Sequence, residues 1–575
     1  MRQLRFHRII VLLAVLAVVT AACAGEEPAD TGTTPPEATG EPTQGGSIVV
    51  GAEQWPECIN IITTACASLS WAQQSVFAHI TSKAIEIDLE GNFVPGPLIT
   101  EIPSLEAGTV TEDPFTVTFS LNPEAVWADG TPITCDDWDF TWRVFLNTKG
   151  TYYTFGYDQI ESIDCPDPLT AVLNFKAVYA DWQTLFGGAF EMIIEKAAFP
   201  NADPEKPDLS EDMVNEIPFS GGPWILESWS TEQAVLVRNE NYWVEDRIPL
   251  LDQVTMIPIT DQAAEINAIL NREVVGINPQ ASDVSVLDQV AGDAGVTAVG
   301  GSIPYNDMMW FSVDKPPLDD PVVREALLFA LDRQAVLDAV VKLNNPEAEL
   351  VNCPLYIPGL GPWCQPVFAD VTYDPVHSIE ILEGDGWECS GVPDAPCEKG
   401  GQPLVLTISA NSGNTRREAA QQIFKEGAKP AGFQLDIQNY ESGVYFGRVC
   451  PRGLVHICDY ASGGNPTGNL VTSAFGCDYV PTQENEFAGP NWNHYCNPEV
   501  DRLMRAADSS VDLEERIELE TRVQEILRED AMSLPMYALP TVMVWRSDTI
   551  AGPIADYATH IYSPFINMYD WYLVE

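Results

Sequence analysis

The chain has 575 residues, with 84 Asp or Glu against 29 Lys or Arg and a formal net charge of −55. Nucleic acids and anionic membrane surfaces are met first through clustered basic side chains, so this balance excludes a nucleic-acid binder. Hydrophobic residues at 45% and aromatic ones at 10% supply a folded core, and the length suffices for about three domains.

The N-terminus reads as an address. Arg2, Arg5 and Arg8 precede an uncharged apolar run over residues 9–19, then Thr20-Ala21-Ala22-Cys23. A basic start, a short apolar stretch and small residues at a processing site describe a signal peptide, residues 1–22, too short for an ordinary membrane span. Cys23 after two alanines resembles the lipobox of bacterial lipoproteins, in which this cysteine becomes the lipidated first residue. Thr20 departs from the Leu usual three positions before it. Residues 24–46 hold no aromatic and no bulky aliphatic side chain. They cannot bury enough surface to fold, and residues 23–45 are expected to be an acidic tether.

The folded part opens with a strand at residues 46–51, where β-branched residues lie between glycines. Trp71, Val76, Phe77 and Ile80 recur at helical spacing and predict a helix over residues 70–87. Residues 93–127 have the texture of strands, with Phe115, Val117 and Phe119 alternating with Thr116, Thr118 and Ser120. Ala128-Asp129-Gly130-Thr131-Pro132 predicts a tight turn, and Thr134 with Asp136 and Asp137 the start of a helix through Phe145. Residues 160–175 and 218–259 return to strands. Helices are predicted over 320–342, 375–383, 416–428, 500–507 and 513–529, with strand-like runs at 404–408 and 433–437 flanking the helix at 416–428. Such alternation argues an α/β fold with a parallel or mixed sheet. No internal repeat of about 20–50 residues is present, which excludes solenoids and propellers.

Besides Cys23, the chain carries Cys58, Cys66, Cys135, Cys165, Cys353, Cys364, Cys389, Cys397, Cys450, Cys458, Cys477 and Cys496. An even remainder in an exported chain fits a disulfide framework. Sequence alone leaves connectivity open, but short loops cost least entropy to close, so neighbours are expected to pair in that order. No C-x-x-C pair and no H-x₃₋₅-H pair occurs, and no metal site or cofactor is expected.

Five stretches, in order, resemble the peptide/nickel/oligosaccharide family (family 5) of extracellular solute-binding proteins, the receptors of ABC importers. They are Ser75-Val76-Phe77 through Asp88, Gly91 and Pro95; Phe115 to Leu121 with Val126-Trp127-Ala128-Asp129-Gly130-Thr131-Pro132; Gly221-Gly222-Pro223-Trp224 with Arg238-Asn239-Glu240-Asn241-Tyr242-Trp243; Lys315-Pro316-Pro317-Leu318 with Val323-Arg324-Glu325-Ala326-Leu327 and Ala330-Leu331-Asp332-Arg333; and Tyr495-Cys496-Asn497-Pro498-Glu499-Val500-Asp501. Each is weak alone. Their order over nearly all of residues 46–575 carries the resemblance.

The resemblance implies a two-lobed, periplasmic-binding-protein-like α/β fold (type II, cluster C) with an extra domain, mixed sheets and a hinge between the lobes. Domain I would comprise residues 46–85, 206–304 and 541–575, domain II residues 86–205, and domain III residues 305–540. It further implies a monomeric, lipid-anchored receptor on the outer face of the cytoplasmic membrane. Such a receptor closes on a peptide, or alternatively an oligosaccharide or other uncharged solute, and hands it to the permease subunits of an ABC transporter.

Ligand-binding expectations follow the same resemblance. Glu53, Gln54 and Trp55, just after the first strand, occupy the place where family members line the cleft. Tyr305, Asn306 and Trp310, together with Asn491 and Trp492, are further candidates; Trp127 and Trp224 are assigned to packing. Peptide-binding members place an Asp near an Asp-Pro turn to pair with the α-ammonium. The corresponding stretch, Ala461-Ser462-Gly463-Gly464-Asn465-Pro466, holds no carboxylate, which leaves Asn465 as an uncharged candidate; Asp459 aligns with an earlier position of the pattern, and its use would require a shifted loop. A secreted hydrolase is the rival reading from another class. G-x-S-x-G, H-E-x-x-H, Walker and G-x-G-x-x-G patterns are all missing, so no catalytic residues are expected.

Overall fold

Strand β1 (Ser47–Ala52) opens the largest sheet and is buried along most of its length, as a strand covered on both faces must be. The computed structural model describes residues 42–66, 76–152, 154–187, 192–279, 285–392, 395–463, 466–553 and 565–574. Cys23, residues 24–41 of the expected tether and Asn465 lie outside these residues, whereas the tether's last residues are bonded to the folded body, Thr43 Oγ1 donating to Leu573 O at 3.0 Å and Gly45 N–H to Leu250 O at 2.7 Å.

The chain next builds a smaller sheet from β2 (Val110–Glu112), β3 (Phe115–Ser120), β4 (Ile160–Asp167) and β5 (Thr170–Phe175), antiparallel and in the order β2-β3-β5-β4. Along β3 the side chains of Phe115, Val117 and Phe119 are buried while the Thr and Ser between them are half-buried, the period of two that the sequence shows. Helix α1 (Cys135–Asn147) covers this sheet. It begins at Thr134, whose backbone N–H donates to Asp137 Oδ2 at 2.9 Å and whose hydroxyl donates to the same oxygen at 3.4 Å, while Asp137 N–H donates to Thr134 O at 3.0 Å. The turn before it closes through Trp127 N–H to Thr131 O at 2.7 Å. Gly130 sits there at φ +86°, a conformation glycine adopts without strain.

The large sheet resumes with β6 (Trp224–Trp229), β7 (Ala234–Arg238), β8 (Gln253–Pro258), β9 (Gly276–Ile277), β10 (Thr297–Phe311), β11 (Val405–Ser409), β12 (Gln434–Ile437), β13 (Ile457–Gly463) and β14 (Ser533–Trp545). Its ten strands run in the order β12-β11-β13-β10-β14-β9-β1-β8-β7-β6. β1 is parallel to β8 and β9, β11 is parallel to β12 and β13, and β10 is antiparallel to both β13 and β14. The sheet is mixed, as the alternation of elements predicts.

Two strands run the length of the molecule. Residues 297–302 of β10 pair with 540–545 of β14, and after a register shift between Ser302 and Asn306 the remainder pairs with β13 and with residues 533–538. Pro304 and Pro540 fall at this lapse, and neither has an N–H to donate to a ladder. The sheet is therefore continuous but pinched, with β1, β6, β7, β8 and β9 on one side and β11, β12 and β13 on the other.

Helices complete the layers: α2 (Gln262–Leu270), α3 (Pro321–Ala330), α4 (Thr415–Ala428), α5 (Pro498–Asp508) and α6 (Leu513–Glu529). Along β10, Met309 and Phe311 join a core with Val323 and Leu327 of α3 and Phe424 of α4. Met308 and Trp310 point the other way, to Met504 of α5 and Leu527 of α6.

Two sequence expectations are corrected. The helix expected over residues 70–87 ends at Ile80 where it is described, and Ile85–Ile87 is instead a strand paired with Phe93–Pro95. Thr81 Oγ1 donates to Phe77 O at 2.6 Å, and Gly222 lies so close to His79 O and Thr81 N that a side chain there would collide with them. The helix expected over 320–342 is broken after Ala330, because Asp332 caps a separate helix, Arg333–Ala339, by accepting from Ala335 N–H at 2.9 Å.

All twelve cysteines described are paired with their sequence neighbours: Cys58–Cys66, Cys135–Cys165, Cys353–Cys364, Cys389–Cys397, Cys450–Cys458 and Cys477–Cys496.

Candidate functional site

The parallel strands β1 and β8 end side by side, Ala52 opposite Pro258, so that Glu53 and Gln54 emerge next to Thr260 and Gln262. Across from them, β11 ends and the polar run Asn411-Ser412-Gly413-Asn414 leads into α4. These eight residues from the two sides of the pinch line a narrow crevice. Crevices at the carboxyl ends of parallel strands are where open α/β sheets receive ligands, because loops of variable sequence converge there on a rigid frame. Thr415 Oγ1 donates to Gln262 Oε1 at 2.6 Å and ties the two walls together.

Charge beneath the crevice is unevenly distributed. On the β1 side, Glu265 of α2 is fully buried, and burial together with the nearby charge of Glu53 pushes its carboxyl well above the usual range. On the β11 side lies a closed network. Arg416 of α4 pairs with Asp307 of β10, Arg417 Nη2 meets the other Asp307 oxygen at 3.0 Å, and Arg417 Nη1 donates to Asn411 Oδ1 at 2.8 Å. Burial opposes ionisation of Asp307, but the two guanidinium groups hold it below the ordinary range. Asp459, 3.6 Å from Arg417 Nε, is pushed up to about 8 by burial and by the charge of Asp307.

Strand β13 offers a second feature. Beyond Cys458 it loses β11 as a neighbour but keeps β10 as far as Gly463. Among the described residues no other strand pairs with the free side of residues 459–463.

Residues 100–453 match the model of the bacterial extracellular solute-binding proteins, family 5. The chain belongs to this family. The oligopeptide-binding protein AppA of Bacillus subtilis (strain 168) is 23% identical over 580 residues, covering 98% of each chain. The structure of B. subtilis AppA in complex with a nonapeptide superposes with a TM-score of 0.78 at 20% identity, covering 93% of this chain and 100% of that one. A periplasmic EDTA-binding protein, EppA, gives 0.78 at 20% identity, covering 93% and 98%.

Within this family 5 solute-binding protein the residues singled out from sequence fall into three places. Glu53 and Gln54 line the crevice. Trp55, half-buried beside them, donates its indole N–H to Ser230 O at 2.9 Å. Tyr305 sits at the pinch, in a small apolar cluster with Ile87, Ile303 and Leu539, against Ala461 of β13.

Asn306, Trp310 and Asn491 belong to the interior instead of a cleft wall. Asn306 Nδ2 donates to Cys353 O at 2.9 Å; Trp310 stacks on Tyr460 at 4.9 Å and donates to its carbonyl; Asn491 Nδ2 donates to Gly476 O and Tyr495 O. Their polar atoms brace the scaffold. Trp492 is buried as well, its N–H on Gly489 O at 3.2 Å and its ring 5.8 Å from that of Tyr152. Trp127 and Trp224 are buried in the first core, as assigned.

Sequence reasoning missed Thr260, Gln262, Glu265 and the run 411–414. Polar loops following two apolar parallel strands were the available signal, but their convergence depends on which strands are neighbours.

A seam also joins the smaller-sheet region to the far lobe. Ala180 N–H donates to Asp508 O at 2.7 Å, Asn469 Nδ2 to Tyr179 Oη at 2.9 Å and Tyr479 Oη to Asp158 Oδ2 at 3.2 Å. Arg516 pairs with Asp181, its guanidinium 4.9 Å from the Trp363 ring centre. Asp508 and Glu520 beside it are pushed well above the usual carboxyl range, first by burial and then by neighbouring carboxylates.

Proposed function

We propose that this protein is the extracellular receptor of an ABC importer, that it captures oligopeptides or dipeptides between its two lobes, and that it delivers them to permease subunits. The observation that carries the reading is the crevice lined from both sides of a pinched sheet, since a ligand held by both walls stabilises the closed arrangement. Two things support a peptide in particular. Residues 461–463, which pair with β10 alone among the described strands, offer an extended backbone a place as an added strand. The curated relative AppA is an oligopeptide-binding protein.

In this reading domain I comprises residues 46–85, 206–304 and 541–575, domain II residues 86–205 and domain III residues 305–540. The lapse in pairing at Ser302 and Pro540 supports the two later crossings. Glu53, Gln54, Trp55, Tyr305 and Asn465 face the solute. The receptor acts as a monomer, performs no chemistry, and is held at the outer face of the cytoplasmic membrane by a lipid on Cys23.

Mass spectrometry of solute retained through purification, followed by calorimetry against a mixed oligopeptide pool, tests this function. Retained peptide or saturable peptide binding is expected, and neither being found would sink it. Trp55→Ala and Asn465→Ala are each expected to weaken binding about tenfold with circular dichroism unchanged. Unchanged affinity in both removes these residues from the site.

A further inference from the structure

We infer that the solute carries a cationic nitrogen, ammonium or guanidinium, and that the first lobe receives it, Glu53 touching it and Glu265 standing behind. The inference rests on the receptor reading above and specifies its cargo.

Glu265 lies one turn after Gln262 on α2, and residues three apart share a helix face. Gln262 lines the crevice, so that face is directed toward it. Glu265 is 0% exposed, and neither carboxyl oxygen has a hydrogen-bond partner among the described residues. A buried carboxyl without a partner is costly, and a positive group brought up to the crevice in front of it offsets part of that cost. Apart from Glu53, the crevice walls are uncharged: amides from Gln54, Gln262, Asn411 and Asn414, with Thr260, Ser412 and Gly413 between them. Neither Lys nor Arg is among these lining residues. The nearest cations of the second lobe, Arg416 and Arg417, are engaged by Asp307 in the interior. A crevice with the Glu53 carboxyl on one wall, the Glu265 carboxyl buried behind it and neither Lys nor Arg among its lining residues is complementary to a positive group.

The second lobe cannot supply that counter-charge from β13. Asp459 is its one carboxylate over residues 457–463, and that side chain is fully buried against Arg417. Recognition of the cation has therefore moved to the opposite wall, where Glu53 is a contact residue and Glu265 a positioning residue acting through it.

The test uses the full-length protein and four probes in calorimetry: a tetrapeptide pool with free amino termini and one Lys, the same pool N-acetylated, the pool with norleucine for Lys, and arginine amide. Loss of one peptide cation should weaken binding by at least about tenfold, and which modification does so tells whether terminus or side chain is read. Glu53→Gln should erase this discrimination; Glu265→Gln should reduce the ratio of affinities, which a merely structural defect, lowering both affinities alike, would leave unchanged. Should Glu265→Gln fail to fold, Glu53→Gln alone decides. Equal binding of all three peptide pools, or discrimination that persists in Glu53→Gln, overturns the inference while the peptide reading stands. If no peptide pool binds but arginine amide raises the melting temperature of the wild type and not of Glu53→Gln, the peptide reading falls and the cation site stands. If arginine amide also has no effect, both fall.

Discussion

Glu195 illustrates how far burial and neighbouring carboxylates can move a group in this acidic chain. It is 6% exposed, and burial, with the charges of Asp129 and Asp137 adding to it, pushes its carboxyl from the ordinary 4.5 up to about 7. A folded-state value above the unfolded one means that the native protein holds the proton more tightly. The resulting stabilisation is complete below about pH 4.5 and is lost as pH rises through about 7. Glu195→Gln is therefore expected to retain stability between pH 5 and pH 8 better than wild type does. Urea melts at the two pH values measure it, and an identical pH dependence would refute the assignment. Asp548 runs the opposite way: hydrogen bonds from Arg546 and Arg272 hold it far below the usual range, so its contribution appears only as the acid limb is left behind. At this scale the sequence assigned Trp127 and Trp224 to packing, and both are buried; Glu53 and Gln54, expected to bind the solute, line the crevice. The sequence could not separate Asp459 from a cleft carboxylate, because facing inward or outward on β13 depends on where Arg417 arrives from α4.

Local signals located most elements where they are observed, and they failed where a distant contact intervened. Thr134 with Asp137 begins α1, and Pro498 and Leu513 open α5 and α6, because caps and amphipathic spacing act within a turn or two of chain. The helix expected through residue 87 ends at Ile80, where Gly222 of a distant segment abuts the backbone at His79 and Thr81. The seam is equally invisible in sequence, since Asp181 and Arg516 are brought together by two separate elements. Its chemistry makes a sharp prediction. Burial disfavours the charged forms of Asp508 and Glu520, Arg516 is paired with Asp181, and removing one partner of that pair strands the other in the interior. Asp181→Asn is expected to loosen the contact between lobes, enlarge the radius of gyration in solution scattering, and weaken solute binding at least about tenfold. Asp181→Asn with Arg516→Met should recover much of the loss, because no orphan charge remains. A single variant indistinguishable from wild type in both measurements would show that the seam contributes nothing to closure.

For the whole molecule the dominant fact is the charge of −55. Carboxylates that far outnumber cations repel one another, and salt shortens the range of that repulsion from about 10 Å at 0.1 M to about 3 Å at 1 M. The melting temperature is accordingly expected to rise as sodium chloride is raised over this range, and a flat or falling curve in calorimetry would contradict it. Composition fixed this property, as it fixed the exclusion of nucleic acids, because net charge is a sum over residues and needs no coordinates. The α/β class and the disulfide pairing were also legible, through periodicity and short loops, both local quantities. The family was legible from the order of its motifs. What tertiary structure decided is which polar groups share a space. β1 and β8 are adjacent although some two hundred residues separate them, and β11 ends opposite them only because two long strands carry the sheet across a pinch. Long-range strand pairing, which sequence encodes only in aggregate, thus set Glu53 and Glu265 against an uncharged wall and turned Asp459 away from it.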